Sequence, residues 1–270
     1  MSSLTLRFVT SLIVLGTVLG SAPSAAQDRA AQPRIVSLTP HATEMLFAAG
    51  AGALIEATVQ ASDYPLAARR LPKLGDGLNT SVEAVLAWQP DWVVGWPSAL
   101  MDRLHSLGIK TLALDPQQVQ DIPDQIEQLG QALGTASEAH AFAEGLRAKI
   151  RHLNAAPPSK MVRVAVLASA DGEFALGKHS LMNDALSQCG GINVFSGSRS
   201  PAPSISQESL LAAQPALVIG GQDTAAWIKT RFHFESIEAD WLYRPGPRFV
   251  LALERICAAT RQVGQSIHKH

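Results

Sequence analysis

Short apolar runs alternate along the chain with segments of helical pattern. The run RIVSL at 34–38 is rich in apolar and β-branched residues and predicts a buried strand. Thr39-Pro40 then offers a good N-cap and first helical residue, and a helix over 44–49 is expected to end at Gly50. Further predicted elements are a helix at 82–88 and strands at 54–61, 92–95 and 111–114. This succession is typical of an α/β fold.

A long helical pattern divides the chain. Residues 137–154 contain no proline and a single glycine, and their large apolar residues recur at helical spacing: Phe142, Leu146, Ile150 and Leu153. A strand is predicted to follow at 162–167. The simplest interpretation is an α/β protein with two Rossmann-like lobes, at 33–134 and 160–266, joined by a single long interdomain α-helix at 135–156.

An internal repeat supports two similar lobes. SVEAVLAWQPDWVVGW begins at Ser81 and SQESLLAAQPALVIGG begins at Ser206, and the two segments agree at eight of sixteen positions. Each predicts a helix, a Gln-Pro turn and a buried strand that ends in glycine. A duplicated unit at an offset of 125 residues indicates two related halves, although chance similarity between ordinary α/β units stays open. Two such halves would place their strand ends at a shared crevice.

The first 26 residues have the pattern of a secretory signal. Arg7 precedes an apolar stretch at 8–19, and Ser24-Ala25-Ala26 offers the small side chains that a signal peptidase reads. We therefore predict a cleaved signal peptide at 1–26 and a mature protein in the periplasm. The alternative is an uncleaved membrane anchor, for which the apolar stretch is short.

Composition limits the classes of function. Of the 270 residues 47% are hydrophobic and 17% charged, which excludes a disordered chain, and the net charge of −1 gives no basic surface for nucleic acid. We expect a monomer with no nucleic-acid partner. In an exported protein Cys189 and Cys257 are expected to pair, with two buried free thiols as the alternative.

Sequence motifs for catalysis are absent. The chain has no G-x-G-x-x-G after a strand, no P-loop, no H-E-x-x-H and no G-x-S-x-G. His41 and Glu44 lie one helical turn apart and form only half of a metal site. Asp240 and Arg244 lie four residues apart, a spacing more typical of a salt bridge than of a catalytic pair. We therefore expect no enzyme, and a metal-dependent enzyme built on His41 and Glu44 stays the weaker alternative.

A family resemblance rests on several stretches together. They are RIVSLTPHATEMLFAAG, SDYP, QPDWVVGW, LGIKTLALD, GKHSLMNDALSQCGG and DWLYRPGPRFVLALERIC. Across residues 34–263 the chain resembles the helical-backbone (class III) periplasmic substrate-binding proteins of ABC importers, and most of all their cobalamin-binding members. The resemblance implies capture of a corrinoid between the lobes, delivery to a membrane permease, a disulfide between Cys189 and Cys257, and no resident cofactor.

The resemblance also implies roles for single residues. Trp96 and Phe174 match aromatic residues that pack on the ligand, with packing in the core as the alternative for Trp96. Asp240 and Arg244 match polar residues of the cleft wall. Trp241 is expected either to wall the cleft or to pack in the core, and Tyr64 either to face the cleft or to anchor Pro65. His41 departs from the family, which has a small residue there, so its role is argued from its own position. At a strand end facing the crevice, His41 would contact the ligand and reach a metal that the ligand carries; the alternative is a solvent-facing or hydrogen-bonded histidine.

Two glutamates occupy the same slot of the repeat. Glu83 and Glu208 each follow a serine in the first turn of a predicted helix, where a carboxylate also interacts favourably with the helix dipole. The resemblance implies that both dock onto arginines of the permease.

Departures from the family pattern leave the ligand open. The resemblance would place aromatic rings near Ala61, near Gly75-Asp76 and at Ala202, where this chain has none. Fewer rings mean less apolar contact with a flat macrocycle. The ligand is therefore expected to be cobalamin, with a more weakly bound or precursor corrinoid, haem or a ferric siderophore as alternatives.

Overall fold

A computed structural model describes residues 32–77, 79–154 and 160–267. The predicted signal peptide at 1–26 lies outside the described residues. Eight strands are described: β1 Ile35–Ser37, β2 Ile55–Thr58, β3 Trp92–Gly95, β4 Lys110–Ala113, β5 Val162–Val166, β6 Gly191–Asn193, β7 Leu217–Gly220 and β8 Phe234–Ser236. No helix of this described part is both long and apolar enough to cross a membrane.

Ten α-helices are described. The first five are α1 Pro40–Ala48, α2 Val82–Leu86, α3 Ala99–Ser106, α4 Asp121–Leu133 and α5 Ala136–Leu153. The others are α6 Ser180–Gln188, α7 Gln207–Ala212, α8 Ala226–Arg231, α9 Ala239–Leu242 and α10 Phe249–Ile267. Short 3-10 turns at Gly52–Leu54 and Leu66–Arg70 flank β2.

The strands form two parallel sheets with the same topology. The first has the order β2-β1-β3-β4 and the second the order β6-β5-β7-β8. In each sheet the second strand along the chain lies on one side of the first strand, and the third strand lies on the other side. This change of direction places a topological switch point beside the first strand. The predicted α/β class with two similar halves is confirmed.

The internal repeat reappears in backbone detail. Gln89 and Gln214, 125 residues apart, have φ angles of 46° and 44°, so both adopt the left-handed conformation that is uncommon for residues other than glycine. The guanidinium groups of Arg34 and Arg163 donate to equivalent helix-end carbonyls, those of Trp88 and Ala213, at 2.8 Å and 2.6 Å. The second half therefore repeats the turn geometry of the first as well as its sequence.

Helix α1 begins earlier than predicted. The Thr39 side chain accepts a hydrogen bond from the Ala42 amide, and Pro40 occupies the first helical position. The helix therefore covers Pro40–Ala48 rather than 44–49, and it carries His41 and Glu44 on a buried face. The strand predicted at 54–61 ends at Thr58, because the chain turns there and the Ser62 amide donates to the carbonyl of Val59.

The segment between the sheets is a pair of helices. Along the chain, α5 lies between β4 and β5, as predicted, but α4 packs along its length, and the sequence patterns did not predict α4. Gly130 allows the close approach, because a Cβ there would lie 2.2 Å from the Cβ of Ala139. Leu146, Ile150 and Leu153 are buried, whereas Phe142 is exposed. The domain boundaries stay predictions.

Helix α10 closes the core. Its Phe249, Leu253 and Ile256 are fully buried in a hydrophobic cluster to which both halves contribute. Cys257 on α10 forms the expected disulfide with Cys189, which follows α6. The pairing of the two cysteines is confirmed.

Candidate functional site

A cleft lies where carboxyl ends of strands from both halves approach each other. Its volume is about 550 Å³, within the range typical of ligand sites. The first half contributes Trp96, which follows β3, and a short segment after β4. The second half contributes residues near β5, α6, α9 and α10. The lining residues are Trp96, Asp115, Pro116, Gln117, Ala168, Leu176, Lys178, His179, Leu181, Pro201, Leu242, Tyr243, Pro245 and Phe249.

Trp96 presents an indole to the cleft, and His41 supports it from behind. Trp96 is 39% exposed, and its ring centroid lies 4.4 Å from that of His41. His41 is buried, and its Nε2 donates to the Leu114 carbonyl at 3.1 Å. Burial lowers the pKa of His41 to about 4, against the weaker opposing effect of that hydrogen bond. His41 is therefore neutral at neutral pH.

The position of His41 bears on its predicted role, which stays a prediction. The side chain was predicted to face the crevice, but it does not line the cleft. Its Nε2 carries a proton and donates a hydrogen bond to the Leu114 carbonyl, so this nitrogen has no free lone pair for a metal in the arrangement described. His41 is hydrogen-bonded, as the alternative anticipated, and its ring contacts the Trp96 ring. Contact of His41 with a ligand stays a prediction.

The second half supplies polar groups to the opposite wall. His179 is the N-cap of α6, and its Nδ1 accepts a hydrogen bond from the Met182 amide at 3.3 Å. Burial lowers the pKa of His179, and the charge of Asp115 opposes that effect. The Tyr243 hydroxyl donates to the Leu167 carbonyl at 2.7 Å, and burial raises the pKa of that hydroxyl to about 12. Tyr243 therefore stays neutral at neutral pH.

An ionic cluster, formed by Glu44, Asp63, Asp240, Arg244 and Arg248, joins the two halves. Arg248 makes a two-point contact with Glu44, with Nε to Oε2 at 3.0 Å and Nη2 to Oε1 at 2.6 Å. Arg244 pairs with Asp63 and with Asp240, both at 2.8 Å. Burial raises the pKa of Glu44, and the hydrogen bonds from Arg248 counteract that effect.

Three predicted ligand residues lie in or against the ionic cluster. Asp240 and Arg244 belong to it, and the Tyr64 ring lies under the Arg248 guanidinium at 4.2 Å from ring centroid to carbon. Tyr64 lines a second cavity of about 430 Å³, together with Glu44 and Arg248. None of these side chains lines the cleft itself. Their contact with a ligand stays a prediction.

Phe174 and Trp241 also lie away from the cleft lining. Phe174 is exposed in a segment that pairs with Ser204 through an isolated β-bridge. Trp241 is partly buried and packs against the central hydrophobic cluster, as the core alternative anticipated. Contact of Phe174 and of Trp241 with a ligand stays a prediction.

Glu83 and Glu208 occupy equivalent positions in the two halves. Each is the second residue of a short helix capped by a serine, Ser81 in one case and Ser206 in the other. Backbone and serine hydrogen bonds lower the pKa of Glu83, and those of serine and backbone lower the pKa of Glu208. Both carboxylates are therefore ionised, and both are exposed.

The sequence matches the family model described as periplasmic binding protein over residues 35–235. This match covers most of the chain. The chain belongs to the periplasmic binding protein family. Proteins of this family bind ligands, which agrees with a cleft between two α/β halves.

Named relatives and solved structures agree with the family. This periplasmic binding protein is 32% identical over 240 residues to a vitamin B12-binding protein of Pectobacterium carotovorum, with 83% of this chain and 87% of the relative covered. A periplasmic vitamin B12-binding protein of Vibrio cholerae has a TM-score of 0.78 at 27% identity, covering 86% of this chain and 97% of that one. A periplasmic haem-binding protein of Roseiflexus sp. RS-1 shares the fold. Its TM-score is 0.72 at 22% identity, and the match covers 87% of this chain and 100% of that one.

His41 and Glu44, the two residues of the metal-dependent alternative, each contact another residue of the chain. Within residues 32–77, 79–154 and 160–267 no group of three or more His, Cys, Asp or Glu side chains is placed to hold a metal ion. Glu44 is held by Arg248, and His41 by Leu114. The two side chains that formed half of a site in the sequence therefore have other partners in this periplasmic binding protein.

Sequence reasoning missed polar residues of the cleft, among them Asp115, Lys178 and His179. Asp115 follows β4 closely, and Lys178 and His179 stand immediately before α6. In parallel α/β sheets, loops after the strands commonly carry ligand contacts. Asp115 follows a predicted strand and His179 precedes a helix, and these positions could have identified both as candidate ligand contacts. Arg248 lies four residues after Arg244, and this helical spacing could have identified it as a second arginine of the ionic cluster.

Proposed function

We propose that this chain is a periplasmic solute-binding protein that captures cobalamin and delivers it to the permease of an ABC importer. The observation that supports it most strongly is the cleft between the two halves, whose partly exposed Trp96 faces apolar residues of the second half. Vitamin B12-binding relatives align over most of the chain at 30–32% identity, which favours a corrinoid over other ligands of the same fold.

Capture requires burial and orientation rather than bond chemistry. Ala168, Pro201 and the Tyr243 ring provide accessible apolar surface, while Trp96 provides a flat ring that can lie against a macrocycle. Polar groups at Asp115 and His179 are available for the periphery of the ligand. Such a division between apolar area and a few orienting polar groups is typical of small-molecule sites.

Delivery is proposed to use Glu83 and Glu208. The two ionised, exposed carboxylates lie at the same position of each half, so a permease with two separated cationic sites would contact both halves at once. Separated charge contacts fix orientation and speed encounter. The local interaction of each carboxylate with its helix start does not compete with this role, since both groups remain exposed.

Haem binding by the same fold is the second candidate. Structural neighbours include haem-binding proteins, and Lys178 at the cleft would attract the carboxylates of a haem. Asp115 in the same cleft opposes such an anionic ligand. His41 does not offer its Nε2 as an axial ligand. The corrinoid is therefore the ligand that we propose.

The test compares the two ligands on the mature protein. Calorimetric titration should give saturable one-to-one binding of cyanocobalamin and weaker or no binding of hemin. Trp96→Ala should weaken cyanocobalamin binding about tenfold through lost stacking and apolar contact. Phe142→Ala is the matched control, since Phe142 is similarly exposed but lines the second cavity. Binding of hemin without cyanocobalamin would refute the proposal.

A further inference from the structure

Two polar side chains of the cleft wall come from different halves. Asp115 follows β4 in the first half, and His179 precedes α6 in the second. Both line the same cavity, and the charge of Asp115 acts on the His179 ring. A ligand that fills the cleft therefore meets both groups.

The hydrogen bonds of His179 fix which ring nitrogen can donate. Nδ1 accepts from the Met182 amide, so in the neutral ring the proton is on Nε2. No described residue pairs with Nε2, which leaves Nε2–H as a donor for a ligand in the cleft. Capping the helix thus sets the tautomer that the ligand meets.

Asp115 offers the complementary chemistry. Its side chain is exposed at the cleft, and among the described residues none donates a hydrogen bond to its carboxylate. An ionised carboxylate only accepts hydrogen bonds. The cleft therefore presents an N–H donor on one wall and an oxygen acceptor on the other.

We propose that Asp115 and His179 form a donor–acceptor pair that selects ligands with peripheral primary carboxamides. A carboxamide has a carbonyl that can accept from His179 and an NH₂ group that can donate to Asp115. The margin of a corrinoid carries several such amides. A haem carries carboxylates instead, which have no donor for Asp115 and share its negative charge. This inference rests on the proposed function and identifies residues that would give it selectivity.

Lys178 lies beside His179 on the wall of the cleft. Its positive charge attracts a ligand carboxylate, whereas Asp115 repels one. The comparison that isolates Asp115 therefore keeps Lys178 in place. A monocarboxylic acid derivative of cyanocobalamin, in which a single peripheral amide is hydrolysed, has nearly the shape of the parent. The ratio of its affinity to that of the parent is measured in wild type and in Asp115→Asn. Both proteins contain Lys178, so the contribution of Lys178 cancels when the two ratios are compared.

The experiment measures binding by calorimetry for wild type, Asp115→Asn and His179→Ser. Serine keeps an acceptor for the N-cap but lacks the Nε2–H donor. We expect each variant to bind cyanocobalamin about three- to tenfold more weakly. We also expect wild type to bind at least one monocarboxylic acid about tenfold more weakly than the parent, and Asp115→Asn to remove most of that difference.

Matched controls are Asp102→Asn and His105→Ser, which make the same chemical changes on the exposed face of α3. They should bind like wild type, and circular dichroism melting should show all variants folded. Wild-type-like affinity of both cleft variants would overturn the pair alone. An unchanged penalty for the acids in Asp115→Asn would overturn it as well. Failure of wild type to bind cyanocobalamin would instead refute the proposed function, and the pair with it.

Discussion

Acid should destabilise this protein through His41. The pKa of this buried ring is lowered from 6.5 to about 4, so the unfolded chain takes up a proton at a pH where the folded protein does not. The stability linked to this group is complete above about pH 6.5 and is lost as the pH falls toward about 4. The difference between the two pKa values corresponds to about 3 kcal/mol, a large share of the 5–15 kcal/mol typical of a folded protein.

A single substitution isolates this effect. His41→Gln removes the titrating group and keeps an N–H donor for the Leu114 carbonyl. Urea unfolding followed by circular dichroism, at several pH values between neutral and about 4, gives the free energy of unfolding of both proteins. Wild type should lose about 3 kcal/mol more than His41→Gln over this range. His105→Gln, on the exposed part of α3, should fall in parallel with wild type.

Parallel loss of stability in wild type and His41→Gln would refute the reasoning. It would mean that the His41 ring accepts a proton in the folded state as readily as in the unfolded chain. The burial of the ring behind Trp96 would then not set its pKa.

Two further predictions concern charged groups. Glu44→Gln leaves the Arg248 guanidinium largely buried without its main carboxylate and should cost about 3 kcal/mol in urea unfolding, at the low end for such pairs because Asp240 remains 3.6 Å from Arg248. Adding Arg248→Met should recover part of that loss, and a double variant less stable than the single would contradict the argument. Charge reversal at Glu83 or Glu208 should weaken transport in vesicles that contain the permease and leave ligand affinity unchanged, because both carboxylates are exposed at the helix starts. A large loss of affinity in either variant would count against a docking role.

The repeated units were predictable because their signals are local. The RIVSL strand, the Thr39-Pro40 helix start and the Gln-Pro turns appear in the sequence as contiguous patterns, and the structure has a strand, a capped helix and left-handed glutamines there. Helix α4 escaped prediction because it contains Pro123 and Gly130, which usually oppose helices. Pro123 lies in the first turn, where it is tolerated, and Gly130 is needed for packing on α5.

The site was less predictable because its contacts are long-range. Arg244 and Asp63 are separated by 181 residues, and Arg248 and Glu44 by 204. The spacing of Asp240 and Arg244 indicated their pairing, but no local pattern indicates the partners that lie far away in the sequence. The burial of His41 depends in the same way on Leu114, 73 residues away. Residue type and strand position thus indicated the region of the cleft, but partner choice followed from the tertiary packing.

The ionic cluster has a consequence for how the permease recognises the binding protein. Arg244 and Arg248 form ion pairs between the two halves in the ligand-free protein. A large domain motion between an open and a closed form would have to break several of these ion pairs. We therefore expect the distance between Glu83 and Glu208 to be nearly the same in the empty and the filled protein. A permease that contacts those two glutamates would bind the empty and the filled protein with similar affinity. It would have to distinguish them by contacting the ligand at the opening of the cleft.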